Sequence, residues 1–119
     1  MSLFFSHGDI MLEPLFGTAN REKTLIFLEA RAEGYPREIA DLFDTDLRAI
    51  QNQLEKLERG GVVYSRMVGR TRLYSFNPRY PFLAELKALL VKALEFYPQE
   101  EKDRLFPERS RPRRKGKPL

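Results

Sequence analysis

Apolar residues recur at helical spacing through the first half of the chain, and then the period changes to alternation. Residues 9–15 read as a short helix, stopped by Phe16-Gly17. Thr18 can cap a second helix, which carries Leu25 and Leu28 inward and runs to about Glu33, where Gly34 ends it. Pro36 suits the first turn of a third helix, with Ile39, Ala40 and Phe43 on one face. Asp44-Thr45-Asp46 reads as a turn, and Asp46 caps a fourth helix to residue 59. Its stripe of Leu47, Ile50, Leu54 and Leu57 is spaced three, four and three. Beyond Gly60-Gly61, residues 62–67 and 72–76 read as strands rich in β-branched and aromatic side chains. Val68-Gly69-Arg70-Thr71 reads as the hairpin turn between them. Pro81 opens a last helix, to about Tyr97 before Pro98. This order predicts a mainly α, α+β domain with one small hairpin.

With 119 residues, 42% hydrophobic and 32% charged, the chain has the size and composition of one globular domain. It divides into an arm at 1–8, a body at 9–80, a C-terminal helix at 81–98 and a basic tail at 99–119, expected to lack fixed structure. The net charge of +4 is segregated: residues 1–47 carry −5, 48–80 carry +5, 81–106 carry −1, and the rest +5. Positive charge confined to a central block and a tail suits a polyanion-facing surface; the plainer alternative is a solvated surface with a chance cluster.

The absence of cysteine removes disulfides, thiolate metal sites and a cysteine nucleophile. One histidine, His7, leaves little for zinc or for imidazole catalysis, and no glycine loop is built to cradle phosphates. The expectation is a binding module with no cofactor rather than an enzyme. No apolar run reaches the roughly 18–20 residues of a membrane span. No secretory leader is evident, so a cytoplasmic location is expected.

Three helices, a hairpin and a further helix is the order of a winged helix-turn-helix, and the residues add a resemblance. The run Ile39-Ala40-Asp41-Leu42-Phe43, the turn, Ile50, and residues 54–63 together resemble the helix-turn-helix of ArsR-like repressors. Leu15-Phe16-Gly17-Thr18-Ala19-Asn20-Arg21 is similar to the family's helix start, and residues 69–78 to its wing, GRxxxYxLNP. The resemblance covers about 12–94 and implies a DNA-binding transcriptional regulator, a repressor, that pairs through terminal helices. Four positions depart from it: Glu22 and Thr24 stand where the family has apolar residues, Asp44 where the turn has glycine, and Leu47 where a polar residue faces the groove. The cysteine pairs that bind metal in many members are missing, so metal sensing does not carry over.

An α-helix fits the major groove, and side chains near its N-terminus reach base edges. If the apolar stripe of helix 46–59 faces inward, Arg48, Ala49, Gln51, Asn52, Gln53 and Lys56 face outward. Arg48 matches guanine bidentately, Gln51 and Asn52 match adenine, and Lys56 lies lower, where it would neutralise a phosphate. The hairpin at 62–76 carries Arg66, Arg70, Thr71 and Arg72, suited to backbone or a narrow minor groove. Charge on an edge strand also serves against aggregation. Arg37 and Arg21 lie near helix starts, for phosphates or for ion pairs with Glu33, Glu38 or Asp41.

In residues 82–97, the polar side chains Glu85, Lys87, Lys92 and Glu95 fall within an arc of about 160°, against the roughly 100° apolar stripe that a one-sided helix needs. A homodimer would use the excess, with Leu86, Leu90 and Ala93 on the apolar arc and Leu90 near the seam. Alternatively the helix is wrapped by its own domain, including Phe4-Phe5. The tail from 107 holds six basic residues, for phosphates or for solubility. The partner expected is double-stranded DNA. The alternative is a protein partner docked on the same fold, towards which Leu47, Ala49 and Val68 lean. An RNA role lacks an aromatic platform on an exposed sheet.

Overall fold

A computed structural model describes residues 11–107. The elements are α1 (Glu13–Phe16), α2 (Ala19–Arg31), β1 (Glu33–Gly34), α3 (Pro36–Leu42), α4 (Leu47–Arg59), β2 (Val63–Val68), β3 (Thr71–Phe76), α5 (Leu83–Glu95) and α6 (Gln99–Leu105). Six helices and a three-stranded antiparallel sheet make a mixed α and β fold. Among the described residues, no helix is long and apolar enough to cross a membrane.

Local chemistry explains most boundaries. Gly17, at φ +92°, closes α1, and the Thr18 hydroxyl then accepts the Arg21 N–H at 3.0 Å to open α2. Pro36 sits in the first turn of α3, where its missing N–H costs nothing. Asp44 takes φ +52° between α3 and α4, the left-handed conformation that aspartate tolerates. The Asp46 carboxylate accepts the Ala49 N–H at 3.1 Å and starts α4. In the hairpin, Val68 pairs with Thr71 across Gly69 and Arg70, and Gly69 supplies the positive φ, +64°, that a two-residue loop needs.

The sheet order is β1-β3-β2, with Glu33 opposite Ser75 and Val63 opposite Phe76. Ile26, Leu28, Ile39, Ile50, Leu54, Val63 and Leu90 are fully buried in one core built from α2 to α5 and the sheet. A carboxylate is buried with them. Glu22 of α2 accepts the Leu12 N–H and the Tyr97 hydroxyl, each at 2.7 Å. Thr24, also buried, satisfies its hydroxyl on the Asn20 carbonyl one turn earlier, at 2.8 Å. The two unexpected polar positions of α2 are thus bonded within the fold.

Several expectations need correction. Helix α1 begins at Glu13 rather than Asp9, and positions 9 and 10 lie outside the described residues. Helix α2 ends at Arg31, with Ala32 at φ +75° returning its N–H to the Leu28 carbonyl; Gly34 belongs to β1 instead of ending the helix. The reason lies in packing. A Cβ on Gly34 would stand 2.6 Å from the Phe27 ring, so the glycine is needed for close approach, not as a cap.

Helix α5 covers Leu83–Glu95 rather than 81–97, and Leu90 and Ala93 are buried in the chain's own core. They are therefore unavailable to a dimer seam, and Leu86 is partly buried against the same core. Residues 99–105, expected in a tail without structure, form α6 with Leu105 fully buried. Arg31 holds that helix by donating to the Leu105 and Arg104 carbonyls at 2.8 and 2.9 Å. The arm at 1–8, with Phe4, Phe5 and His7, and the basic segment 108–119 lie outside the described residues.

Candidate functional site

Helix α4 is fastened through Ile50, Leu54 and Leu57, which are buried, with Leu47 partly buried against the core. This fixes which face looks outward. Arg48, Asn52, Glu55, Lys56 and Arg59 are exposed, and at 100° per residue they share an arc of about 100°. Gln51 is half-buried on its flank. Arg59 was not among the sequence candidates, yet it follows Arg48 by eleven residues and falls about 20° away on the same wheel. The signal was there.

Gln53 does not belong to that face. It is only 7% exposed, and its amide oxygen accepts the Arg21 Nε–H at 2.9 Å. It lies about 40° from Leu57 on the wheel, on the apolar side, so it faces α2. The same Arg21 guanidinium donates to the Phe16 carbonyl at 3.3 Å. Arg21 and Gln53 form a joint between α2 and α4, not a nucleic-acid contact.

The hairpin arginines divide between the two faces of the sheet. Arg66 pairs across the ladder with Leu73, and Arg72 with Met67, so the two alternate to opposite sides. Arg72 donates to the Ser65 hydroxyl at 3.1 Å, and Ser65 donates to the Glu58 carboxylate at 2.9 Å. That chain ties the hairpin to the last turn of α4, and places Arg72 on the α4 side. Tyr74, opposite Ser65, is buried on this side; burial raises its phenol above the ordinary 10.0, and the Glu58 charge adds to the shift.

Arg66 instead meets Glu33 of β1 at 3.6 Å, an exposed pair of small energetic worth. Arg70 and Thr71 are exposed at the turn. Arg37 is exposed at the second position of α3, at the far end of that helix from the turn into α4. The structure therefore brings Arg48, Asn52, Lys56 and Arg59 together on one helix face. It attaches Arg72 to the end of that helix, and leaves Arg37 and Arg66 on other elements.

Three carboxylates stand at the start of α4. Asp41, Asp44 and Asp46 are all exposed around the turn, and one of them caps the helix. A helix N-terminus with aspartate at its cap is locally stabilised, but its field opposes an approaching phosphate. Searches against known families, curated proteins and solved structures found no match to the chain.

Proposed function

We propose that the chain is a winged helix-turn-helix transcriptional regulator, a repressor, that reads double-stranded DNA with α4. In this reading α3 and α4 are the helix-turn-helix and β2–β3 the wing, as the resemblance to ArsR-like repressors implies. One observation carries it: a helix held by its apolar stripe presents Arg48, Asn52, Lys56 and Arg59 on one uncovered face, beginning in its first turn. Arg48 and Asn52 suit guanine and adenine edges, while Lys56 and Arg59, lower on the helix, suit phosphates. Arg70 at the hairpin turn and Arg72 beside α4 would meet backbone or minor groove.

With Leu90 and Ala93 in the core, a homodimer would have to use the outward side of α5. That side offers Ala84, Ala88 and Val91.

Selection of bound fragments from genomic DNA tests the reading. A shared inverted repeat is expected, and Arg48→Ala or Asn52→Ala should each cost about 1–3 kcal/mol on it while nonspecific affinity changes far less. The reading fails if no fragment is enriched, or if both variants keep the wild-type preference. A second reading, a protein docking face, is favoured by one observation: Tyr64, Met67 and Val68 are 43%, 53% and 37% exposed on β2.

A further inference from the structure

We propose that residues 108–119 are a second DNA-binding element, delivered to the phosphate backbone beside the start of α4 by the packing of α6. The proposal rests on the DNA-binding reading and adds to it where the remaining positive charge goes. Arg109, Arg111, Arg113, Arg114, Lys115 and Lys117 stand in this segment against Glu108 alone, a charge of +5 within twelve residues. Composition leaves open whether such a segment serves solubility or binding. The place from which it leaves the fold decides between them.

Helix α6 is not loosely attached. Leu105 is fully buried, and Arg31 at the end of α2 donates to the Leu105 and Arg104 carbonyls. The Arg104 guanidinium in turn donates to the Leu42 carbonyl. Leu42 is the last residue of α3, four positions before the Asp46 cap of α4. The end of α6 is thus pinned next to the turn between the two helices, and the basic segment starts three residues after Pro107's neighbour Leu105. Twelve residues reach at most about 40 Å, enough to follow about one turn of DNA, roughly 34 Å.

Charge explains why this place needs such a segment. Asp41, Asp44 and Asp46 are exposed around the turn, so the end of α4 that should approach DNA is locally negative. Phosphates would be repelled there at low ionic strength. Six tethered cations leaving beside the same turn offset that field and add phosphate contacts, each releasing counterions on binding.

The test compares the full chain with a full-length variant in which R109Q, R111Q, R113Q, R114Q, K115Q and K117Q are combined. The probes are a duplex of the selected site and a random duplex of equal length, titrated over a range of salt. Each phosphate contact removed should flatten the slope of log affinity against log salt by about 0.9. Affinity for both duplexes should fall in parallel, at least about tenfold near physiological salt, with the ratio between them unchanged. Because the chain has no cysteine, Gly116→Cys can carry a single iron chelate that cleaves nearby DNA.

Cleavage confined to the backbone flanking the bases read by α4 is expected. An unchanged slope, or cleavage spread along the duplex, would overturn this proposal and leave the α4 reading standing. A rise in affinity would overturn it too, and would make the segment a cover for the acidic turn. Failure of the wild-type chain to bind either duplex would take down the DNA reading, and this proposal with it.

Discussion

Gly34 shows how one residue type can answer to two physical demands. In the sequence it stands where a helix should end, and glycine is the usual residue there. In the structure Ala32 takes the positive φ, and Gly34 is kept free of a side chain by the Phe27 ring. Phe27 is 1% exposed and has no room to withdraw. Gly34→Ala should therefore destabilise the fold by about 1–3 kcal/mol, the usual cost of overpacking, measured as a lower midpoint in urea at an unchanged slope. A gain in stability would mean that the glycine serves the backbone rather than the ring. Legibility failed here for a definite reason: the close approach is made by a residue seven positions away, through a two-residue strand that no local pattern announces. Gln53 failed differently. The stripe of α4 was read correctly, but it is wide enough to take in a glutamine beside Leu57, and only the partner Arg21 on α2 reveals that.

Between elements, the buried carboxylate of Glu22 joins three stretches of chain: the Leu12 N–H before α1, its own helix α2, and Tyr97 after α5. Burial raises its pKa above the ordinary 4.5, and the bonds from Tyr97 and Leu12 only partly oppose that. The folded chain thus holds this proton more tightly than the unfolded chain does. The contribution to stability is full below pH 4.5 and is lost as pH rises through the raised folded value. Glu22→Gln keeps the size and one acceptor, and removes the titration. Wild type should lose stability relative to this variant as pH rises above 4.5, a difference read from urea midpoints across that range. If the two curves stay parallel, the carboxyl does not titrate differently in the fold. Glu22→Ala is the harsher change, because each orphaned donor costs about 1–3 kcal/mol.

Helix α6 escaped sequence reading for a related reason. It offers one apolar residue in seven, Leu105, and no periodic stripe; what holds it is Arg31, contributed by a distant helix. By contrast α4 and the hairpin were legible almost to the residue, because caps, stripe and turn glycine all point the same way.

On the scale of the whole molecule, the question is what covers the outer side of α5. The excess of apolar surface was visible in the sequence, but the share that the chain buries by itself was not. Leu83, Leu86, Leu90, Ala93, Leu94 and Tyr97 pack inward, which leaves Ala84, Ala88 and Val91 outside, flanked by Glu85 and Lys92. Small residues in the middle allow two helix backbones to come close. In an antiparallel pair with its two-fold axis between Ala88 and Leu89, Glu85 of each copy stands opposite Lys92 of the other. Both charges lie on the same flank of the helix, as that symmetry requires. The pairing proposed for the regulator therefore has a charge-reversal test. Glu85→Lys alone places like charges across the seam and should shift the chain to monomer in sedimentation, as should Val91→Glu. Glu85→Lys combined with Lys92→Glu restores opposite signs and should return the dimer. A fold independent of these changes, by circular dichroism, is expected because all three positions are exposed. Half-sites would bind weakly to every monomeric variant, and the full inverted repeat would recover only with the double reversal, since two linked readers share one loss of translational freedom. If the double reversal stays monomeric while both single variants do, the seam lies elsewhere. If the wild type is itself monomeric at about ten times the concentration that saturates its DNA site, the pairing falls and each α4 reads alone.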